Sequence, residues 1–196
     1  EQALDQLCLW ASEARFRVDV HLLQGLCSPD EASRRLSEIA DICIQEITGM
    51  ARLDMQRRYG RLPEDSFAVL GLGRLGSQRL TTSSDLDLMF IYDSTAEAAA
   101  DGRQKLNAGQ YYNRLDQLII SWLSVQTAQG KLFDIDARLR PDGQSGSLAT
   151  RLDRLTSYYQ TEAWPWEYCA FLKARLIHAD KAVRSPTEQA MQTIKT

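Results

Sequence analysis

Soft metal ligands are scarce in this chain. It has two histidines, His21 and His178, each alone in its neighbourhood, so no zinc site can be assembled from them. Its four cysteines, Cys8, Cys27, Cys43 and Cys169, form no Cys-x-x-Cys pair and sit mostly in helical patterns. They read as reduced thiols with packing roles. No apolar run reaches membrane-spanning length and no signal-peptide pattern is recognisable, which makes a cytoplasmic location the expectation and argues against a membrane partner. Neither sign of charge dominates: 23 Lys and Arg face 26 Asp and Glu, a net charge of −3, which argues against a general nucleic-acid binder. There is no internal repeat and no low-complexity tract. The remainder, 44% hydrophobic and 25% charged over 196 residues, suits one globular domain or one with a helical appendage. The chain opens inside a helical pattern and stops without a clear ending, as expected of a piece of a longer protein.

The first 60 residues carry helical periodicity. Leu4, Leu7, Ala11, Val18 and Leu22 recur at three-to-four-residue spacing and its multiples. Ser28-Pro29-Asp30-Glu31 is a helix start: Ser as N-cap, Pro at the first helical position, Glu at the capping-box position. Leu36, Ile39, Ala40, Cys43, Ile44, Ile47 and Met50 follow as one stripe, and Gly60 and Pro63 close the helix. This spacing predicts two antiparallel helices without identifiable chemistry.

Beyond them the pattern alternates. Phe67–Leu72 reads as a short apolar strand, 71–84 as a Gly-rich turn, short helix and Thr/Ser turn, and Asp85–Tyr92 as a second strand. Residues 94–107 read as a loop, 109–124 as an amphipathic helix, 131–136 as a third strand, 138–147 as a loop rich in Gly and Arg, and 152–160 and 167–177 as helices.

The informative residues are Asp85 and Asp87, at the start of the second strand. Side chains two apart on a strand point to the same side. Two carboxylates side by side repel unless a cation lies between them, and carboxylate oxygens suit Mg²⁺, which keeps positions open for substrate phosphates. Asp134-Ile135-Asp136 repeats the alternation in the third strand, and a third carboxylate would complete a two-metal site. Spacing alone leaves Asp134 and Asp136 equal. The Gly71-x-Gly73-x-x-Gly76 loop matches a dinucleotide fingerprint, but Ser77–Leu80 is too short and polar for the helix under such a sheet. It fits equally a loop whose N–H groups approach phosphates, with Gly76-Ser77 as the contact, or a plain tight turn. Ser83-Ser84 can bond a phosphate or cap the turn. Arg138, Arg140, Lys173 and Arg175 concentrate positive charge; such residues usually form a solvated face, but beside three carboxylates and a Gly loop phosphate binding is the better reading. Trp164-Pro165-Trp166 reads as a packed anchor, with stacking on adenine as the alternative.

Taken together, Gly71-x-Gly-Arg-Leu-Gly76, Ser84-Asp-Leu-Asp-Leu88, Tyr112-x-Arg-Leu115, Asp136-Ala-Arg-Leu-Arg-Pro141, Gly143-x-x-Gly146, Ala163-Trp-x-Trp-Glu167 and Lys173-Ala-Arg175 resemble the bacterial glutamine synthetase adenylyltransferase family, of the DNA-polymerase-β-like nucleotidyltransferase superfamily. The resemblance covers roughly residues 67–180, and its specificity lies in the ordered string. It implies an α+β nucleotidyltransferase fold, a mixed β-sheet flanked by helices, with an N-terminal helical segment over 1–62, a catalytic domain over 63–180 and the start of a further helical region over 181–196. It also implies that Asp85, Asp87 and Asp136 are the metal ligands and catalytic carboxylates, binding two Mg²⁺ ions. On this reading Gly73, Gly76, Ser77, Ser84, Arg138 and Arg140 hold ATP. Two departures stand out: Arg74 replaces a usual Lys, and Arg79 replaces a usual Glu.

The family's protein has two such halves, one attaching AMP to a tyrosine of glutamine synthetase and one removing it by phosphorolysis. The wording Asp136-Ala-Arg and Glu162-Ala-Trp is similar to the adenylylating half. The resemblance implies glutamine synthetase as partner, with glutamine and the PII signalling protein as regulators of the full-length enzyme. Removal of AMP is the alternative, and a silent regulatory domain that binds a nucleotide or partner is the third; three aligned carboxylates count against the last.

Overall fold

The computed structural model describes residues 2–63, 66–95 and 98–196. Two long helices come first, α1 (Gln2–Leu23) and α2 (Pro29–Tyr59). The Ser28 hydroxyl accepts the Glu31 N–H at 3.2 Å, so the start signal works as read. Gly60 ends α2 at φ +80°, a conformation that favours glycine.

The sheet is mixed and open. Its strands are β1 (Phe67–Gly71), β2 (Leu86–Tyr92), β3 (Ile135–Asp136), β4 (Ala149–Arg151) and β5 (Arg175–Ala179). The order is β3-β2-β1-β5, with β1 antiparallel to both β2 and β5. β3 and β4 both lie parallel to β2 on the same edge: β3 pairs with its start and β4 with its end. The helices are α3 (Gly73–Gly76), α4 (Ala108–Ser124), α5 (Leu152–Thr161), α6 (Pro165–Phe171) and α7 (Lys181–Lys195).

Strand parity sorts the core into two layers. Phe67, Val69, Leu86, Leu88 and Phe90 pack with α1, α2 and α4. Ala68, Leu70, Met89 and Ile91 pack with α5, α6 and α7. All five residues of β1 are buried, as expected for a strand covered on both faces. Asp87 shares the parity of Met89 and Ile91, so it lies at the exposed start of the second layer's face. Within the first layer Tyr112 is wholly buried, stacked on Phe67 and Tyr92, and its hydroxyl accepts the Ser66 N–H at 3.0 Å.

Several expectations are corrected. The run 167–177 is not one helix: α6 stops at Phe171, and Arg175–Ala179 is strand β5. The exposed edge of β1 takes this segment as its partner, and tertiary pairing overrides local pattern. Strand 131–136 shortens to β3, although the Asp134 carbonyl still accepts the Leu86 N–H at 2.9 Å. Of the expected loop over 94–107, Ala96 and Glu97 lie outside the described residues, and Ala99 and Asn107 form an antiparallel bridge. Trp164 and Trp166 are 68% and 59% exposed rather than packed. No helix is long and apolar enough to cross a membrane among the described residues.

Candidate functional site

The chemistry gathers where β1 ends and β2 begins. Gly71 leads through Leu72 into the single turn of α3, and the Leu72 N–H donates to the Asp87 carbonyl at 2.9 Å, tying the turn to β2. Gly73 sits at φ +51°, and a Cβ there would lie 2.0 Å from Asp87 Oδ2. Only glycine lets the backbone come this close to the carboxylate. At Gly76 a Cβ would lie 2.0 Å from the Lys173 carbonyl, so the turn is wedged between β2 and the segment that precedes β5.

A cavity of about 560 Å³ opens beside this turn, within the range of small-molecule sites. Gly73, Arg74 and Ser77 of the turn line it with Ser83, Ser84, Asp85 and Asp87. Arg79 and Lys173 add positive charge. A cavity of about 620 Å³ among α1, α2 and α4 is mainly apolar, lined by Leu4, Met50, Leu53, Trp122 and Val125, and offers no such convergence.

Ser77 and Ser84 are held locally. Ser77 Oγ donates to the Gly73 carbonyl at 2.9 Å, and Ser84 Oγ accepts from the Thr81 N–H at 3.0 Å and from Arg74 Nη1 at 3.3 Å. Ser84 therefore caps its turn and holds the arginine of the Gly loop at once.

Parallel pairing sets Asp87 opposite Asp136 across the β2–β3 ladder. Burial, then the negative charges of Asp85 and Asp136, push the Asp87 carboxyl above the ordinary carboxylate range; Arg138 pulls the other way. Asp136 goes in the opposite direction. The Arg138 side chain forks onto it, with Nε at 2.9 and 3.0 Å from the two oxygens, and holds its carboxyl below the usual range. Asp134 is 73% exposed and pairs with Lys131.

Sequence reasoning therefore named groups that the fold brings together: Gly73, Gly76, Ser77 and Ser84 with Asp85 and Asp87, and Asp136 with Arg138 beside them. Arg140 points elsewhere. Its guanidinium donates to the carbonyls of Ala137, Gly146 (3.3 Å) and Ser147 (3.0 Å), bracing its own loop. Arg175 turns to Asp41 of α2 and does not line the cavity.

Three residues were missed. Arg15 of α1 donates to the Leu132 carbonyl at 2.7 Å and lies over the Phe133 ring, bracing the run into β3. Asp19 accepts the Thr82 hydroxyl at 2.7 Å, and Asp41 takes Arg175. Each partner is more than sixty residues distant, so no local signal marked them.

The donor set fits a hard dication. It is three carboxylates without sulfur or imidazole, from β2, the residue before it and β3, with an Asp87 oxygen set against the bare backbone of Gly73. As the side chains stand, no three such groups converge tightly enough to hold a metal ion among the described residues, and Arg138 occupies both oxygens of Asp136. The guanidinium supplies the positive charge that the carboxylates require.

Known proteins are similar to this chain along nearly its whole length. The profile of the family described as Glutamate-ammonia ligase adenylyltransferase matches residues 1–190. The "Bifunctional glutamine synthetase adenylyltransferase/adenylyl-removing enzyme" of Rhodopseudomonas palustris (strain HaA2) is 36% identical over 197 residues, covering 100% of this chain and 20% of that protein. The proteins of the same name from Mesorhizobium japonicum and Rhizobium meliloti are 37% and 38% identical, covering 99% and 100% of this chain. The chain spans 20% of the length of each of these relatives.

Proposed function

The chain belongs to the glutamate-ammonia ligase adenylyltransferase family, and from that premise we propose that its cavity transfers AMP from ATP to a tyrosine hydroxyl of glutamine synthetase, within a nucleotidyltransferase fold of the DNA-polymerase-β-like kind. The register that sets Asp87 opposite Asp136, in front of the Gly-rich turn, carries this reading.

The tyrosine oxygen attacks the α-phosphorus. An O–P bond forms, the bond to the β-phosphate oxygen breaks, and pyrophosphate leaves with the electron pair. Asp85, Asp87 and Asp136 would hold Mg²⁺, which when bound offsets negative charge on the phosphates. The α3 turn presents Gly73, Arg74 and Ser77 to the triphosphate, and Lys173 and Arg79 line the same wall. Their fixed positive charge acts where negative charge builds up, and positioning does most of the rest. Asp136, kept anionic by Arg138, accepts the tyrosine proton as Arg138 shifts toward phosphate. In the full-length enzyme, glutamine and the PII protein would regulate this step, and the cytoplasm is where ATP and glutamine synthetase meet it.

Phosphorolytic removal of AMP is the second reading. The relatives' printed names include it, and Arg79 supplies an additional cation in the cavity that a free phosphate could use. The test is to supply Mg²⁺, labelled ATP and unmodified glutamine synthetase, and separately modified synthetase with phosphate. Label on the synthetase with little ADP release supports transfer. ADP release without labelling reverses the direction, and neither product would remove the enzymatic reading.

A further inference from the structure

We propose that Arg175, held by Asp41, is a positioning residue for the phosphate-binding turn: it fixes the Leu75 carbonyl and thereby the face of α3 that lines the cavity. The inference rests on the reading of that cavity as an ATP site.

A four-residue helix cannot hold itself, because nucleation costs more than one turn of hydrogen bonds returns. The α3 turn is gripped from behind. The Leu75 side chain is wholly buried, and its carbonyl accepts Arg175 Nη2 at 3.2 Å. The same guanidinium forks onto Asp41, Nη1 to Oδ2 at 2.7 Å and Nη2 to Oδ1 at 2.9 Å. Both side chains are mostly shielded, 27% exposed for Arg175 and 17% for Asp41, so solvent screens the pair weakly.

The topology explains the reach. Arg175 starts β5 and pairs in register with Gly71, the last residue of β1. Two residues earlier, the Lys173 carbonyl abuts Gly76 while Lys173 itself lines the cavity. One short segment thus sets the turn from behind and contributes a cation in front. Asp41 anchors that segment to α2 and does not line the cavity. An ammonium cannot copy the fork across two acceptors, so Arg175→Lys keeps the charge and loses the geometry.

The experiment uses the intact protein with Arg175→Lys, Asp41→Asn and their combination, and reads the Kd for ATP with Mg²⁺, the Tm, and amide exchange at residues 76–79. Arg52→Lys is the control, because the Arg52–Asp180 pair ties α2 to the far end of β5 without touching the turn. We expect the first two variants to weaken ATP binding by about tenfold to a hundredfold, the double variant to be no worse than the weaker single, and exchange at 76–79 to quicken. The control should lower Tm and leave ATP affinity unchanged. Unchanged affinity in Arg175→Lys and Asp41→Asn, or an equal loss in Arg52→Lys, overturns the positioning role. A wild type that binds no ATP overturns the site reading itself, and the proposal with it.

Discussion

The two rims that flank the paired Asp87 and Asp136, the α3 turn and the loop after β3, are built differently. On one side the α3 turn is tied to β2 by backbone, to the core by Leu75 and to α2 through Arg175, with shielded groups throughout. On the other side, residues 137–148 bulge out between β3 and β4. That loop is held by arginines near the surface: Arg138 on Asp136, Arg140 on its own carbonyls, and Arg154 bridging Asp142 and Glu162. Asn113 reaches it from the core layer, its Oδ1 accepting the Leu148 N–H at 3.0 Å. Shielded ties fix geometry, whereas exposed ion pairs contribute little and exchange partners readily. The first rim is held rigidly by shielded ties, and the second rests on exposed pairs such as Arg138 on Asp136.

The largest expected effect tests whether both rims meet at the carboxylates. Asp85→Asn, Asp87→Asn and Asp136→Asn should each lower AMP transfer by more than about a hundredfold. Thermal stability of the Asp87 variant should hold or rise, because one of three mutually repelling charges is gone. Wild-type-like transfer in any of the three would sink the shared site.

Next comes the rigidity of the first rim. Gly73→Ala meets both a positive φ and the Asp87 carboxylate, so we expect a loss of about 1–2 kcal/mol in a denaturant titration, together with weakened transfer. Wild-type stability would mean that this rim yields as easily as the other.

A smaller effect comes from Asp116 of α4. It is wholly buried with neither oxygen hydrogen-bonded among the described residues, and burial holds its carboxyl well above the usual range against the pull of Arg140. A raised folded-state pKa contributes stability below the unfolded value and loses it as pH rises toward the folded one. Asp116→Asn should therefore gain on the wild type as Tm is followed from about pH 4 to about pH 8. The opposite slope would make charged Asp116 a stabilising partner of Arg140, and the second rim firmer than described.

The smallest effects are at the surface. Arg154→Lys and Asp134→Asn should each move Tm by less than about 2 °C. Asp134→Asn should leave transfer near wild type, since its carboxylate faces solvent and Lys131. A loss equal to that of Asp136→Asn would show that the site draws two carboxylates from this segment.

Legibility in the sequence followed the same division. The helix starts at Ser28 and near Asn107, the buried run 67–71 and the alternation after Asp85 were readable, because each depends on neighbours in sequence. Resemblance singled out Asp136, and the β2–β3 register sets it opposite Asp87. β4 and β5 were not readable: three and five residues of mixed pattern become strands only because β2 and β1 offer open edges. For the same reason Arg175 read as a phosphate ligand, since its charge was visible and Asp41, 134 residues away, was not.

That separation has a consequence for the order in which the molecule is made. A ribosome adds roughly 5–20 residues per second, so on the order of ten seconds pass between the emergence of Asp41 and that of its partner. By the later part of that interval the glycine turn and its aspartates are synthesised, but β5 does not yet exist to close the sheet behind them. A nascent chain therefore holds the cavity's residues before β5 is there to set the turn that lines it.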